Sequence, residues 1–487
     1  MNNVTDTMSG IETLNRRVRE ELKWLEFPAR SWVPEREHQG GKVYDVIVIG
    51  GGMAGLTASG TLRRYGVLNH VVYDMAPRDR EGPWVTYARM DTLRSPKTLT
   101  GPCLGIPVLT FRAWYEHRFG VQAWETLGLI PRTMWMEYLV WFRDVLELPV
   151  ENEVLVQKIN TADHGLLRLN ILRNGKAEEV LTRKVVLATG RDGLGGAYMP
   201  DVIRTLPERL RAHSADMIDF AALKGKRVVV IGAGASAMDN AATALEQGAA
   251  RVDVLIRRGD IPRINKFTGI GSQGVVQGFV NLPDEWKWRF LDATLSAQTP
   301  PPRPSVLRVS QHPNAFFHLN CQIEEIAMNG DVLELITSRG ALTTDFIIAA
   351  TGFNVDLAKR PELQVFSDRI RFWKDRFVPA PDNRCNGVIN SELANSPDLG
   401  SAFEFQPKAE VICPDLRNIH CFCFPATLSH GKVSGDIPAI SDGADRLVKG
   451  IVSHFFTEDC DIHFRNLKQF ETPELVGDEW QDTPLSC

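Results

Sequence analysis

The sequence predicts an α/β protein built from two similar nucleotide-binding units, and three observations support this. A β-rich run, Val43 to Ile49, enters the glycine-rich turn Gly50 to Gly55; a second such run, Arg227 to Ile231, enters Gly232 to Ala237; and an Ala-Thr-Gly triplet ends a strand after each unit. Each turn leads into a helix-prone stretch, to Tyr65 and Gln247, and then a second strand, His70 to Asp74 and Arg251 to Ile256. Two complete strand, turn, helix and strand patterns are the signature of paired Rossmann-like domains.

Glycine at the first turn position permits a tight strand-to-helix reversal, the second lets the backbone approach a pyrophosphate, and the third lets helix and strand pack closely. Gly50, Gly52 and Gly55 fill these places in the first unit, and Gly232 and Gly234, followed by Ser236, in the second. The unpaired N–H groups and positive dipole end of the following helix then face the anion. The second strands separate the ligands. Asp74, about 20 residues past the first turn, suits a ribose diol and favours FAD or NAD. Arg257 and Arg258 hold the matching place in the second unit and favour the 2′-phosphate of NADPH, with a solvated strand end as the plainer alternative. Two dinucleotide sites on one chain imply electron transfer from nicotinamide to flavin.

Composition sets the outer limits. With 44% hydrophobic and 24% charged residues, the 487-residue chain has an ordinary globular balance. Its net charge of −5 lacks the basic field that holds nucleic acid or anionic lipid. No apolar run approaches the roughly 18 residues of a membrane span, and no secretory signal is visible, so a cytoplasmic location is expected. Eight cysteines include Cys421 and Cys423 as C-x-C but no C-x-x-C, and no His or Cys grouping has zinc spacing, so no metal is expected. The segment 1–40 carries an amphipathic helix, Ile11 to Leu25, ended by Pro28 and packed on the body or on another subunit. A homo-oligomer is allowed. The Pro-rich stretch Thr299 to Pro304 reads as a loop.

With both turns placed, the chain resembles the flavin-containing monooxygenases, the group that includes Baeyer–Villiger enzymes and the ornithine and lysine N-hydroxylases. The carriers are Gly50 to Gly55 with Asp74, Gly82-Pro-Trp84, His213-Ser214 ahead of Gly225-Lys-Arg-Val, Gly232-x-Gly-x-Ser236-Ala-x-Asp239, and Ala350-Thr-Gly-Phe353. The resemblance implies a discontinuous FAD domain, 41–214 with 341–487, and an inserted NADPH domain, 215–340. It implies O2 as co-substrate and transfer of one oxygen atom from a flavin hydroperoxide to a small organic substrate. Pro207 and Arg209 depart from the Phe-x-Gly-x-x-x-His fingerprint of the Baeyer–Villiger enzymes. Thr92 to Pro96 and Leu109 to Tyr115 look more like the N-hydroxylases.

The resemblance also places Trp84, Thr351, Gly352, His213 and Asp436 at the cofactors. Trp84 stacks near the flavin or packs in the core; His213 contacts nicotinamide or supports the hinge; Asp436 holds the ribitol or caps a surface turn. Arg94, Lys97 and Asp91, in the loop between cofactor and substrate, are the candidate catalytic residues, against a reading of them as local ion pairs. The runner-up is an NAD(P)H-dependent disulfide or electron-transfer reductase, which shares the architecture but needs a redox-active cysteine pair near the flavin. An amine, a sulfide, a ketone and an electron-rich ring such as an indole or purine all remain open as substrate.

Overall fold

A computed structural model describes residues 10–485. Two sheets organise it. In the first, the parallel strands Val150–Glu151, His70–Tyr73, Gly41–Ile49 and Lys176–Leu187 lie side by side, and the antiparallel strands Leu167–Arg173 and Val154–Thr161 extend that edge. Ile419–Cys421 arrives from far along the chain and pairs in parallel with Lys176–Leu187. The second sheet is wholly parallel, in the order Ala315–His318, Arg251–Leu255, Arg227–Ile231, Phe346–Ala349, Arg211–His213. Two of its strands, Arg211–His213 and Phe346–Ala349, lie outside the 215–340 segment. Phe346–Ala349 is buried throughout, and an all-apolar strand of this kind belongs inside a parallel sheet covered on both faces.

Both faces of the second sheet are covered. Val228, Val230, Val252, Val254 and Ile348 pack against Met238, Ala241 and Leu245 of the helix Ala235–Glu246. Val229, Leu255 and Ile347 point the other way, onto Leu333 and Leu335 of a three-stranded antiparallel sheet. The alternation follows from the period of two along a strand.

The N-terminal helix, Gly10–Trp24, buries Leu14, Val18 and Leu22 in the core of the first unit, beside Phe111–Phe119. Its apolar stripe is therefore occupied within the chain. The helix Ile440–Glu458 adds Leu447, Val448, Ile451 and Phe455 to the same core, so the last part of the chain folds back onto the first unit. Buried charges fasten it there. Arg183 reaches Asp459 at 2.7 Å and Glu458 at 3.1 Å, Lys184 reaches Glu458 at 2.5 Å, and Arg36 reaches Asp459 at 2.5 Å. In the Pro-rich stretch, residues 299–302 form a loop and Pro304 sits in the first turn of Arg303–Ser310, where its missing N–H costs no hydrogen bond.

Asp45, on the first strand, is buried beside this cluster, and burial pushes its carboxyl up to about 7 against the pull of Arg183. The folded chain thus holds a proton that the unfolded chain releases near the ordinary pKa of 3.8, so Asp45 reduces stability increasingly as pH rises from about 4 to 7. Asp45→Asn is therefore expected to raise the melting temperature at pH 8, with the gain shrinking as pH falls towards 4. A gain that is flat with pH in thermal melts would contradict this.

Candidate active site

Each glycine turn is pressed against the end of its neighbouring strand. Gly50 has φ +109°, and a Cβ there would lie 2.4 Å from the carbonyl oxygen of Ala188. Gly232 repeats the arrangement, with φ +132° and a Cβ position 2.7 Å from the carbonyl oxygen of Ala350. These are the alanines of the two Ala-Thr-Gly triplets. Both helices, Met53–Arg64 and Ala235–Glu246, begin at this level with no side-chain cap, so their first N–H groups remain available.

One cavity of about 2070 Å³ joins the two turns. Typical small-molecule sites occupy about 300–1,000 Å³, so this one has room for more than one large ligand. Gly50, Gly52, Asp74, Trp84 and Asp436 line it on the side of the first turn, and Gly232, Gly234, Ser236, Arg257, Arg258, Thr351 and Gly352 on the side of the second.

Asp74 accepts from the N–H of Gly51 at 2.6 Å and of Ala76 at 2.7 Å, which steadies the carboxylate, although burial pushes its pKa above the ordinary range. Trp84 packs edge-on against Trp135, and its carbonyl accepts from Arg132. Thr351 donates to the carbonyl of Tyr198, whose N–H returns a bond to Gly352 at 2.9 Å. Arg258 donates to the carbonyl of Ser296 at 3.2 Å, and Arg257 beside it also lines the cavity. Lys432 approaches Asp436 to 3.8 Å.

His213 sits differently. It is 1% exposed, pairs with Ala349 at the edge of the second sheet and packs edge-on against Phe353. It lies behind the cavity wall, while Ser214 and Ala215 line the cavity. Its backbone N–H donates to Asp216, and its Nδ1 accepts from the N–H of Ala215. These bonds hold the crossing between the units.

The candidate catalytic loop separates into two kinds of residue. Arg94 lines the cavity and donates to the carbonyl of Pro300 at 2.8 Å. Asp91 and Lys97 lie outside the cavity lining. Asp91 pairs with Arg308 at 3.1 Å, and Arg308 also holds Glu246 at 2.7 Å. Lys97 turns away and donates to the carbonyls of Trp124 and Leu127 at 2.5 and 2.6 Å, at the end of the helix Val121–Thr126, where orphan carbonyls attract a cation.

The cavity wall also carries residues outside the expected set: Arg191 after the first Ala-Thr-Gly, Glu392 of the short helix Ser391–Ala394, and Phe424, Thr427 and Thr268. Leu291, Leu393 and Leu428 line the cavity too and join Phe279 and Trp288 in an apolar cluster. Arg191 had a sequence signal in its place directly after Gly190, and Thr427 in lying just ahead of Asp436.

Comparisons with known proteins give the family. Residues 44–268 match the family described as pyridine nucleotide-disulphide oxidoreductase. The chain is 36% identical over 473 residues to an FAD-dependent urate hydroxylase from Xanthomonas campestris pv. campestris, covering 97% of this chain and 98% of that protein. It belongs to the flavin-dependent monooxygenases. Among solved structures, this monooxygenase is similar to an ornithine hydroxylase from Pseudomonas aeruginosa, with TM-score 0.66, 16% identity, and coverage of 85% of this chain and 99% of that one. It is also similar to the FAD-bound cadaverine monooxygenase of desferrioxamine biosynthesis from Erwinia amylovora, with TM-score 0.62, 16% identity, and coverage of 92% and 100%. At that identity the likeness is one of fold. Among the described residues, no helix is long and apolar enough to cross a membrane.

The contacts of Lys97 with the helix end carry a prediction. Lys97→Met is expected to cost about 1 kcal/mol of stability, the low end of the effect of leaving acceptors unpaired because these carbonyls are only part-buried, and this can be measured by denaturant unfolding. Unchanged stability together with lost turnover would instead return Lys97 to the catalytic site.

Proposed function

We propose that this monooxygenase binds FAD in the unit built on the first sheet, within 41–214 and 341–487, and NADPH in the unit built on the second, 215–340 with its flanking strands Arg211–His213 and Phe346–Ala349, and uses O2 to hydroxylate urate or a closely related oxidised purine. The observation that carries this reading is the single cavity joining both glycine turns, which lets two dinucleotides meet end to end.

The residues present fit both cofactors. Gly52 faces only Gly82, whose Cα would lie 3.8 Å from an added Cβ, so the wall beside the first turn is bare backbone of the kind a pyrophosphate approaches. Asp74 suits the adenosine ribose and Asp436 the ribitol. In the second unit, Arg257 and Arg258 offer donors for a 2′-phosphate at the strand end. Bound flavin supplies acceptance of hydride from NADPH and activation of dioxygen. The chain's own part is to position the ligands and exclude water. The loop from Trp84 to Arg94 lies between the units and is held to the second by Arg89 on the carbonyl of Asp216, Asp91 on Arg308 and Arg94 on Pro300. The apolar cluster around Trp288 and Leu428 dries the cavity wall. The substrate class follows from the relative named for urate, to which the likeness extends over nearly the whole of both chains.

The thiols do not favour the disulfide-reductase reading. Cys421 and Cys423 have their sulfurs 3.4 Å apart, but both are fully buried and outside the cavity lining, and burial pushes the Cys421 thiol well above its usual range. A low thiolate fraction makes a poor nucleophile.

Two measurements test the proposal. Urate is expected to accelerate NADPH oxidation by the FAD-loaded protein, and the product is expected to gain one oxygen-18 from labelled dioxygen. Protein that carries no flavin, or NADPH consumption indifferent to urate, would overturn it. Arg257→Ala with Arg258→Ala is expected to raise KM for NADPH about 10- to 100-fold, the effect of lost hydrogen bonds to a charged group, with KM for NADH little changed. Equal effects on both nucleotides would remove the 2′-phosphate role.

A further inference from the structure

Two oppositely charged residues on the cavity wall do not pair with each other. Arg191 and Glu392 both line the cavity. They are close enough for Arg191 to draw the Glu392 carboxyl down against the larger upward push of burial. Yet among the described residues neither side chain makes a salt bridge or a hydrogen bond. Arg191 lies over the ring of Phe424, 4.4 Å from its centre, and Phe424 is fixed by its N–H donating to the carbonyl of Gly190 at 3.1 Å. The guanidinium is thus stacked on one face, with its donor edge uncommitted.

Glu392 is braced from behind. Asn390 accepts from the N–H of Glu392 at 3.1 Å and of Leu393 at 3.4 Å, and its amide donates to the buried Asp292 at 2.9 Å. Asp292 also accepts from the N–H of Cys385 at 2.8 Å. The short helix carrying Glu392 is therefore anchored on Asp284–Ala297, and its carboxylate is presented to the cavity by the fold.

A fork of donors over Phe424 and a carboxylate on an anchored helix, both on the cavity wall and not paired with each other, match a flat ligand with a carbonyl or anionic edge on one side and N–H groups on the other. We propose that Arg191 and Glu392 are the substrate-recognition pair, taking a planar cyclic imide in its anionic form between them. Arg191 binds the edge where ring nitrogen and carbonyl oxygen share the negative charge, and Glu392 accepts from ring N–H groups. This rests on the purine reading above. Urate, whose ring alternates carbonyls with N–H groups and which loses an acidic N–H proton at neutral pH, has this pattern; an amine or a dialkyl sulfide lacks it. The pair acts in binding and orientation, and no proton transfer is assigned to it.

The test uses the FAD-loaded full chain, with urate as the probe. In steady-state NADPH oxidation, Arg191→Gln is expected to raise KM for urate about 10- to 100-fold, the effect of losing hydrogen bonds from a charged donor. Arg191→Lys, which keeps the charge but loses the fork, should fall between it and the wild type. Glu392→Gln is expected to raise KM at least several-fold. Titration of the flavin absorbance should show Kd for urate rising by similar factors, while Kd for NADP+ stays within twofold, which separates recognition of substrate from a general loosening of the fold. KM and Kd for urate within twofold of wild type in both Arg191→Gln and Glu392→Gln would overturn the pairing while leaving the hydroxylase reading intact. Wild-type protein that neither binds nor oxidises urate would overturn the hydroxylase reading and this inference with it.

Discussion

A single backbone contact, made twice, sets the rest of the molecule. In each unit the first glycine of the turn lies against the carbonyl of the alanine that ends the adjacent strand, Gly50 on Ala188 and Gly232 on Ala350. The same alanines donate back, Ala188 to the carbonyl of Ile49 at 2.8 Å and Ala350 to that of Ile231 at 2.9 Å. Strand end, turn and helix start are thereby locked at one level in both units. A side chain at either glycine would push the strands apart, and the positive φ would add strain. Because both turns open at the carboxyl ends of parallel strands, two sets of unpaired helix N–H groups face the same cavity.

Between these two rigid platforms lies a loop held by polar contacts. Arg89, Asp91 and Arg94 each reach the second unit, and Arg308 gathers Asp91 and Glu246 while its side chain remains only 16% exposed. Asp91 and Glu246 themselves are exposed to solvent, and ion pairs with such partners contribute about 0–1 kcal/mol each, far less than the apolar burial inside either unit. Interfaces of this kind permit relative movement of the units they join. The loop's charges are thus better suited to setting the distance between the units than to stabilising either one. The strong ionic contacts lie elsewhere, where Arg183 and Lys184 grip Glu458 and Asp459 and make the chain's last long helix part of the first unit.

The sequence shows most clearly what is local. Strand, turn and helix follow one another within about 30 residues, so Gly50 to Gly55 with Asp74, and Gly232 to Ser236 with Arg257, were readable from pattern and spacing. Lys97 and Asp91 were legible as charges but not as contacts, because their partners at Leu127 and Arg308 are set by tertiary packing. His213 carried a motif signal, yet its ring is buried at a sheet edge that sequence reading treated as a linker. The wall around Arg191 was hidden for the same reason. Arg191, Glu392 and Phe424 come from three distant segments, and only the pairing of Ile419–Cys421 with Lys176–Leu187 brings Phe424 to Gly190.

That strand also bears on how one architecture serves different redox chemistries. Cys421 and Cys423, two residues apart, are of the type and proximity that disulfide exchange requires, and their sulfurs are 3.4 Å apart. Position decides against them. Both are fully buried, and Cys423 packs so closely that a Cβ at Gly193 would meet its sulfur at 2.6 Å. Exchange needs an attacking thiolate with access to its partner disulfide; burial raises the Cys421 thiol and shuts both sulfurs away. The cavity wall carries a single free thiol, Cys321, among the described residues, and just beyond the first Ala-Thr-Gly it carries Arg191 on Phe424, with Glu392 also in the lining. A shared pair of dinucleotide platforms can thus be directed towards oxygen or sulfur by the few side chains that reach the space between them.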